Sequence, residues 1–199
     1  MKKGIAFFDF DGTITTKDTL LEFIKFSKGT LPFYAGFLLA SPWLVAYKLK
    51  IISNHSAKER VLRYFFRDTP VEQFDAWCTE FTDHIVPGLI RPKAVEEIRK
   101  LKSEGWVVVV VSASPEAWIR KWANALGTEL IGSLLEVKEG RITGRIKGRN
   151  CHGPEKVRRI REKYAVTDYE VVHAYGDTSG DKPMLALANR SFYKPFRKP

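Results

Sequence analysis

Asp9 and Asp11 stand one residue apart in FFDFDGT, Phe7 to Thr13, directly after a run of apolar residues fit to form a buried strand. Residues two apart in a strand share a face, so both carboxylates emerge side by side where the strand runs out. Adjacent carboxylates destabilise each other unless a cation or a shared proton relieves them. A metal ion is therefore expected here. A DG turn whose aspartates merely cap loop amides is the plainer alternative, and three further stretches weigh against it.

In WVVVVVSASPEAW, Ser112 closes a buried strand, and Ser114 before Pro115 reads as a helix N-cap with proline at the first helical position. That leaves the Ser112 hydroxyl for an anion near the amides of a helix start. In CHGPEKVRRI, Lys156 falls in the first turn of a helix, where the macrodipole disfavours a cation. In VVHAYGDTSGDKPML, a strand ends on Asp177 and a glycine-bearing loop adds Asp181. Capping by Thr178 or Ser179 accounts for the small polar residues, not for both carboxylates.

The elements that must position these groups alternate. Strand patterns GIAFFDF, WVVVVVS, ELIG with LLEVKEGRITGRI, YEVVHAYG and RSFY are separated by helical patterns, and continuous apolar runs such as VVVVV indicate a parallel sheet covered on both faces. The expected class is α/β, with a Rossmann-like three-layer core. LLEVKEGRITGRI reads as a hairpin turning at Glu139-Gly140. Residues 18–86 break the alternation with one helical pattern after another, so an all-helical cap is expected there, between core segments 1–17 and 87–199.

The 199 residues are 44% hydrophobic, ample for a core, and carry a formal charge of +10 that favours anionic partners. Cys78 and Cys151 match no disulfide or zinc spacing, as suits a reducing compartment. The first apolar run is too short for a secretory signal and meets acid at once. The expected location is cytoplasmic, or peripheral on the inner face of the membrane.

Taken in order, DFDGT, VSAS, GPEK and GDTSGD resemble the motifs of the haloacid dehalogenase superfamily over essentially the whole chain. The helical insertion resembles the small cap of subfamily IB, the branch that includes phosphoserine phosphatases; FFDFDGT, the apolar cap and CHGPEKV look most like phosphatidylglycerophosphatase C and its relatives. The resemblance implies a Mg2+-dependent phosphoric monoester hydrolase. Asp9 would be the nucleophile that forms an aspartyl-phosphate, and Asp11 the acid for the leaving oxygen and then the base for water. A halide leaving group needs no such acid, so Asp11 points to phosphate. Mg2+ would lie between Asp9, the backbone carbonyl of Asp11 and Asp177. Ser112 and Lys156 would hold phosphoryl oxygens, with Asp181 and Thr13 in support. Phosphoserine phosphatases carry asparagine where Gly180 stands, which is a departure. Asp18 takes the place of an acidic cap residue, and Arg60 resembles the arginine that binds the substrate carboxylate there. Alternatively, Asp18 is an N-cap and Arg60 a surface cation.

Gly29 to Tyr47 carries no charge and is bordered by lysines at both ends. A helix of that length approaches a bilayer's thickness, at ~1.5 Å per residue. A single crossing would strand Asp9 on the side opposite Ser112, Lys156 and Asp177. Three arrangements remain: a buried cap helix or subunit interface, a hairpin broken near Ser41-Pro42 that dips into one leaflet, or a disordered loop. The hairpin, with the family likeness, makes a lipid or amphiphilic phosphate such as phosphatidylglycerophosphate the first expected substrate, and a soluble monoester such as phosphoserine its rival. A non-catalytic basic binder of membrane or nucleic acid is the alternative of another class, and no aromatic-basic recognition pattern supports nucleic acid.

Overall fold

The computed structural model describes residues 2–49 and 51–197. Ile5 to Phe8 and Val108 to Val111 are buried on every side, so their strands must lie at the centre of a sheet covered on both faces. Strand β1 (Lys2–Phe8) pairs in parallel with β3 (Val107–Pro115) and β6 (Tyr169–Gly176), and β4 (Glu129–Lys138) and β7 (Arg190–Tyr193) extend the parallel sheet on either side. Strand β5 (Arg141–Lys147) returns antiparallel to β4. Ala6 and Phe8 face one hydrophobic layer, Ile5 and Phe7 the other. The first layer is closed by helix α6 (Pro92–Ser103) and the insertion; the second by α8 (Pro154–Lys163) and α9 (Lys182–Leu187).

The β4–β5 hairpin turns where expected. Glu139 and Gly140 both have positive φ, 50° and 70°, the pairing a two-residue turn needs to match strand twist. Ser114, in contrast, is no helix N-cap. Strand β3 runs on through it to Pro115, which pairs with Ser133 of β4, while the Glu116 carboxylate accepts from Gly132 N at 2.8 Å. Sheet pairing overrides the local proline signal, and only a short turn and α7 (Arg120–Ala125) follow.

The insertion consists of α1 (Thr19–Lys28), α2 (Thr30–Lys48), α3 (Asn54–Phe66) and α4 (Val71–His84), with α5 (Val86–Leu89) leading back. It is not wholly helical: Thr69–Pro70 forms a short strand, β2, on the edge of β5. The chain leaves and rejoins the core at one place, where Thr15 bridges Ile90 and Arg91 N donates to Ile14 O. Cap and core also share aromatic packing, since Trp118 of the core stacks on Phe23 of α1 at 4.5 Å.

Helix α2 corrects two expectations at once. It is one continuous helix with Pro42 inside it, so there is neither a hairpin broken at Ser41-Pro42 nor a disordered loop. A proline removes a single backbone donor, and in this helix that does not end the ladder. Nor is α2 a buried helix. Gly36 lies flush on Phe65 and Tyr64 of α3, and Phe33 and Phe37 join the core, but Leu31 and Leu38 are 83% and 74% exposed, with Tyr34, Leu39 and Val45 also open. Among the described residues, no helix is long and apolar enough to cross a membrane.

Candidate active site

The parallel register brings the motif residues to one edge of the sheet. Phe8 pairs with both Val110 and Tyr175, and Asp9 N donates to Tyr175 O at 2.9 Å, one step past the strand. Asp9 therefore sits between the ends of β3 and β6, where ligands bind in open α/β sheets. The chain then makes a wide turn closed by Thr15 N on Phe10 O. Gly12 serves this turn twice: its φ is +82°, and a Cβ there would come 2.4 Å from Asp177 Oδ2.

Lys156 explains its odd place at a helix start. Its side chain runs into the sheet edge and donates three hydrogen bonds: to Asp9 Oδ1 (2.6 Å), Asp181 Oδ1 (2.7 Å) and Val111 O (2.8 Å). It is 1% exposed. Burial pulls its pKa down, but the charges of Asp9 and Asp181 outweigh that and hold it above the ordinary lysine value. The second oxygen of Asp181 accepts from Asp177 N, Thr178 N and Thr178 Oγ1. Asp181 thus anchors both Lys156 and the loop that carries Asp177. Asp177 is gripped more loosely, by Thr13 Oγ1 at 3.4 Å and by Arg197 Nη2 at 2.7 Å. Burial and the Asp181 charge raise its pKa; Arg197 opposes them.

The Asp11 carboxylate turns away from this group toward the cap. Oδ1 accepts from Thr19 N (2.7 Å) and Thr19 Oγ1 (2.6 Å), at the start of α1, and Oδ2 accepts from Ser112 Oγ (3.2 Å). Ser112 is not an idle hydroxyl: it donates to Asp11 and accepts from Ser114 N at 3.0 Å. It lies beside the strand end that carries Asp9, linked to the residue expected to move protons.

Above the floor is a cavity of about 360 Å³. The expected cap residues part company here. Asp18 does both things open to it, capping α1 by accepting from Leu20 N and Leu21 N while lining the cavity; burial first, then the Asp11 charge, raises its pKa. Arg60 is not brought to the cavity. Its guanidinium stacks on Trp43 of α2, 3.6 Å from the ring centroid. The cavity face of α3 is Asn54, Ala57, Lys58 and Val61, the i, i+3, i+4, i+7 stripe, and residue 60 lies about 200° around the helix from residue 58. Lys58 is the cap's cation, its Nζ donating to Ala113 O at 2.9 Å and its pKa lowered by burial. Sequence reading missed it, although the stripe was there to be counted. It also missed Arg197; Phe196, stacked near Phe8 and Tyr175, carries Arg197 to Asp177.

The floor fits a hard divalent cation. One oxygen from each of Asp9, Asp177 and Asp181 lies within 4.8 Å of the others, an all-oxygen donor set of the kind magnesium takes. The chain's own cations leave it undercompensated: burial pushes the Asp9 carboxyl up to about 7, against the pull of Lys156 and with the push of Asp181 and Asp11. Asp181, expected only in support, contributes the third carboxylate of this group, while the Asp11 side chain, whose backbone carbonyl was the expected donor, faces the cap.

These features place a buried acidic cluster and its lysine at the sheet edge of an α/β core, and residues 6–186 match the haloacid dehalogenase-like hydrolase family, to which the chain belongs. It is an enzyme, a hydrolase of the phosphatase type. The chain is 38% identical over 192 residues to protein CicA of Caulobacter vibrioides, spanning 96% of this chain and 85% of that one. A Mycobacterium tuberculosis protein named as a probable phosphatase is 34% identical over 201 residues, 96% of this chain and 69% of its own. A phosphoserine phosphatase solved with substrate shares the fold, with a TM-score of 0.72 at 20% identity over 97% of this chain and 86% of that one.

Proposed function

We propose a Mg2+-dependent phosphomonoesterase that works through an aspartyl-phosphate on Asp9. The observation that carries the reading is the convergence of Asp9, Asp177 and Asp181 at the sheet edge, with Asp9 and Asp181 paired to buried Lys156. Asp9 attacks phosphorus in line with the leaving oxygen. Asp11, oriented by Thr19 and Ser112, gives a proton to that oxygen and later takes one from the water that cleaves the acyl phosphate. Lys156 and Ser112, each exchanging one protein acceptor for the substrate, hold phosphoryl oxygens as charge builds. Asp9, the Asp11 carbonyl and Asp177 would hold Mg2+, with Asp181 in support; the ion supplies charge neutralisation for nucleophile and phosphate. In the test, Asp9→Asn should abolish p-nitrophenyl phosphate hydrolysis with Mg2+. Equal rates for variant and wild type would sink the proposal.

The proposed substrate is an amphiphilic phosphomonoester, such as phosphatidylglycerophosphate, taken from an anionic membrane surface. Support comes from the open apolar face of α2, from Lys25, Lys28 and Lys48 near its ends, and from Leu20, Leu21, Phe37 and Val61 on the cavity wall. Such a helix suits the bilayer interface rather than a crossing. The rival is a small zwitterionic phosphomonoester such as phosphoserine, favoured by Asp18 and Lys58, an acidic and a basic side chain that both line the cavity. Hydrolysis of lipid phosphate in mixed micelles without turnover of phosphoserine supports the first; the reverse supports the second.

A further inference from the structure

Gly180 lies in the turn after Asp177 and is buried. It is not among the glycines with positive φ, so its backbone is open to other residues and its missing side chain is a matter of space. A Cβ built there would come 2.3 Å from Nε2 of His152. His152 fills the volume that a side chain at 180 would need.

Nothing in the fold uses that imidazole. Neither ring nitrogen makes a hydrogen bond or ion pair among the described residues. The ring's place is set by backbone instead: His152 N donates to Asn150 O at 2.7 Å, and Gly153 N donates to Gly180 O at 3.1 Å, tying the two turns together. The ring lines the cavity with Asp9, Lys156 and Asp181. It also lines the groove outside, with Ser53, His55 and Arg149. It therefore borders both the cavity that holds Asp9 and Lys156 and the groove beside it.

We propose that His152 is a specificity-determining residue, whose free ring nitrogen hydrogen-bonds a hydroxyl on the carbon next to the substrate's phosphate ester; this rests on the phosphomonoesterase reading above. Burial and the Lys156 charge hold the imidazole below its ordinary range, so at neutral pH it is uncharged, one nitrogen donating and the other accepting. A neutral hydroxyl matches it better than a second anion. A site built to bond a hydroxyl rejects the analogue without one, because its own polar group is then left unpaired.

The test compares kcat/KM for glycerol 1-phosphate and n-propyl phosphate, which differ only in the hydroxyls. Wild type should prefer the glycerol ester. In His152→Ala the preference should fall about 10- to 100-fold, the range expected for one lost hydrogen bond to substrate, and His152→Gln should keep part of it. Gly180→Ala, which displaces the ring without touching it chemically, should mimic His152→Ala, and melting curves check that the variants fold. A wild type with no preference, or variants that lose equally on both esters, overturns the proposal. Failure of the enzyme reading would look different, as absent Asp9-dependent turnover of p-nitrophenyl phosphate.

Discussion

At the floor of the cavity every donor of Lys156 is taken and the residue is 1% exposed, whereas on its roof Leu31 and Leu38 of α2 stand 83% and 74% exposed. The floor is built from strand ends, where backbone pairing sets each side chain to within a residue, and from Lys156 of α8 and Asp181 of the turn after β6, which lock onto them. The roof is built from helices that meet along narrow seams and leave faces open. The first suits chemistry that needs fixed geometry, and the second suits recognition.

The comparison breaks hardest at Lys156. Lys156→Ala leaves Asp9 and Asp181 buried without their common cation, which should destabilise the protein by about 3–5 kcal/mol and lower kcat by at least about a hundredfold. Denaturant melts and p-nitrophenyl phosphate turnover read the two effects separately. Mg2+ should restore part of the stability and none of the rate; a stable, active variant would show that the floor is not held this way.

Asp9 offers a pH test of the same floor. Its folded-state pKa lies above the ordinary 3.8, at about 7. Between those values the folded protein binds more protons than the unfolded chain, so stability without metal should fall as pH rises through that window. Mg2+ competes with the proton, so the rise in melting temperature that Mg2+ produces should grow from about pH 6 to pH 8. A rise independent of pH would remove Asp9 from the ion's ligands.

On the roof, Lys58 and Arg60 share a helix and differ in face. Lys58→Ala should raise KM about tenfold on the best substrate, in line with losing a charged hydrogen bond, while Arg60→Ala should change it less than about twofold and lower stability by about 1 kcal/mol or less through the lost Trp43 stack. Equal effects would mean that the face of α3 does not decide recognition. Smallest of all in stability are polar substitutions at Leu31, Leu38 and Leu39, within about 0.5 kcal/mol because these positions are already open. The same variants should lose sedimentation with vesicles of anionic phospholipid. Unchanged binding, or none by wild type, would leave α2 without a membrane role.

The floor was legible because its signals are local. A strand that ends in DFDG, a lysine misplaced at a helix start and a GDTSGD loop each break a rule of their element, and such breaks mark functional sites. Ser114 misled for the same reason: its proline followed the capping rule, and strand pairing with Ser133 overrode it. Arg60 misled because a motif match ignores the face of the helix, which puts Lys58 in the cavity instead.

The sequence by itself determined the α/β alternation, the helical insertion and the acidic, lysine-bearing motifs, since periodicity and residue chemistry are written over a few neighbouring positions. Only the tertiary structure decided that Arg197 reaches Asp177, that Asp181 stands in the carboxylate trio, that α2 keeps its helix through Pro42, and that His152 occupies the space at Gly180. Those outcomes depend on residues far apart in the chain meeting at set distances. No local pattern encodes such a meeting, because it is the packing of whole elements that brings it about.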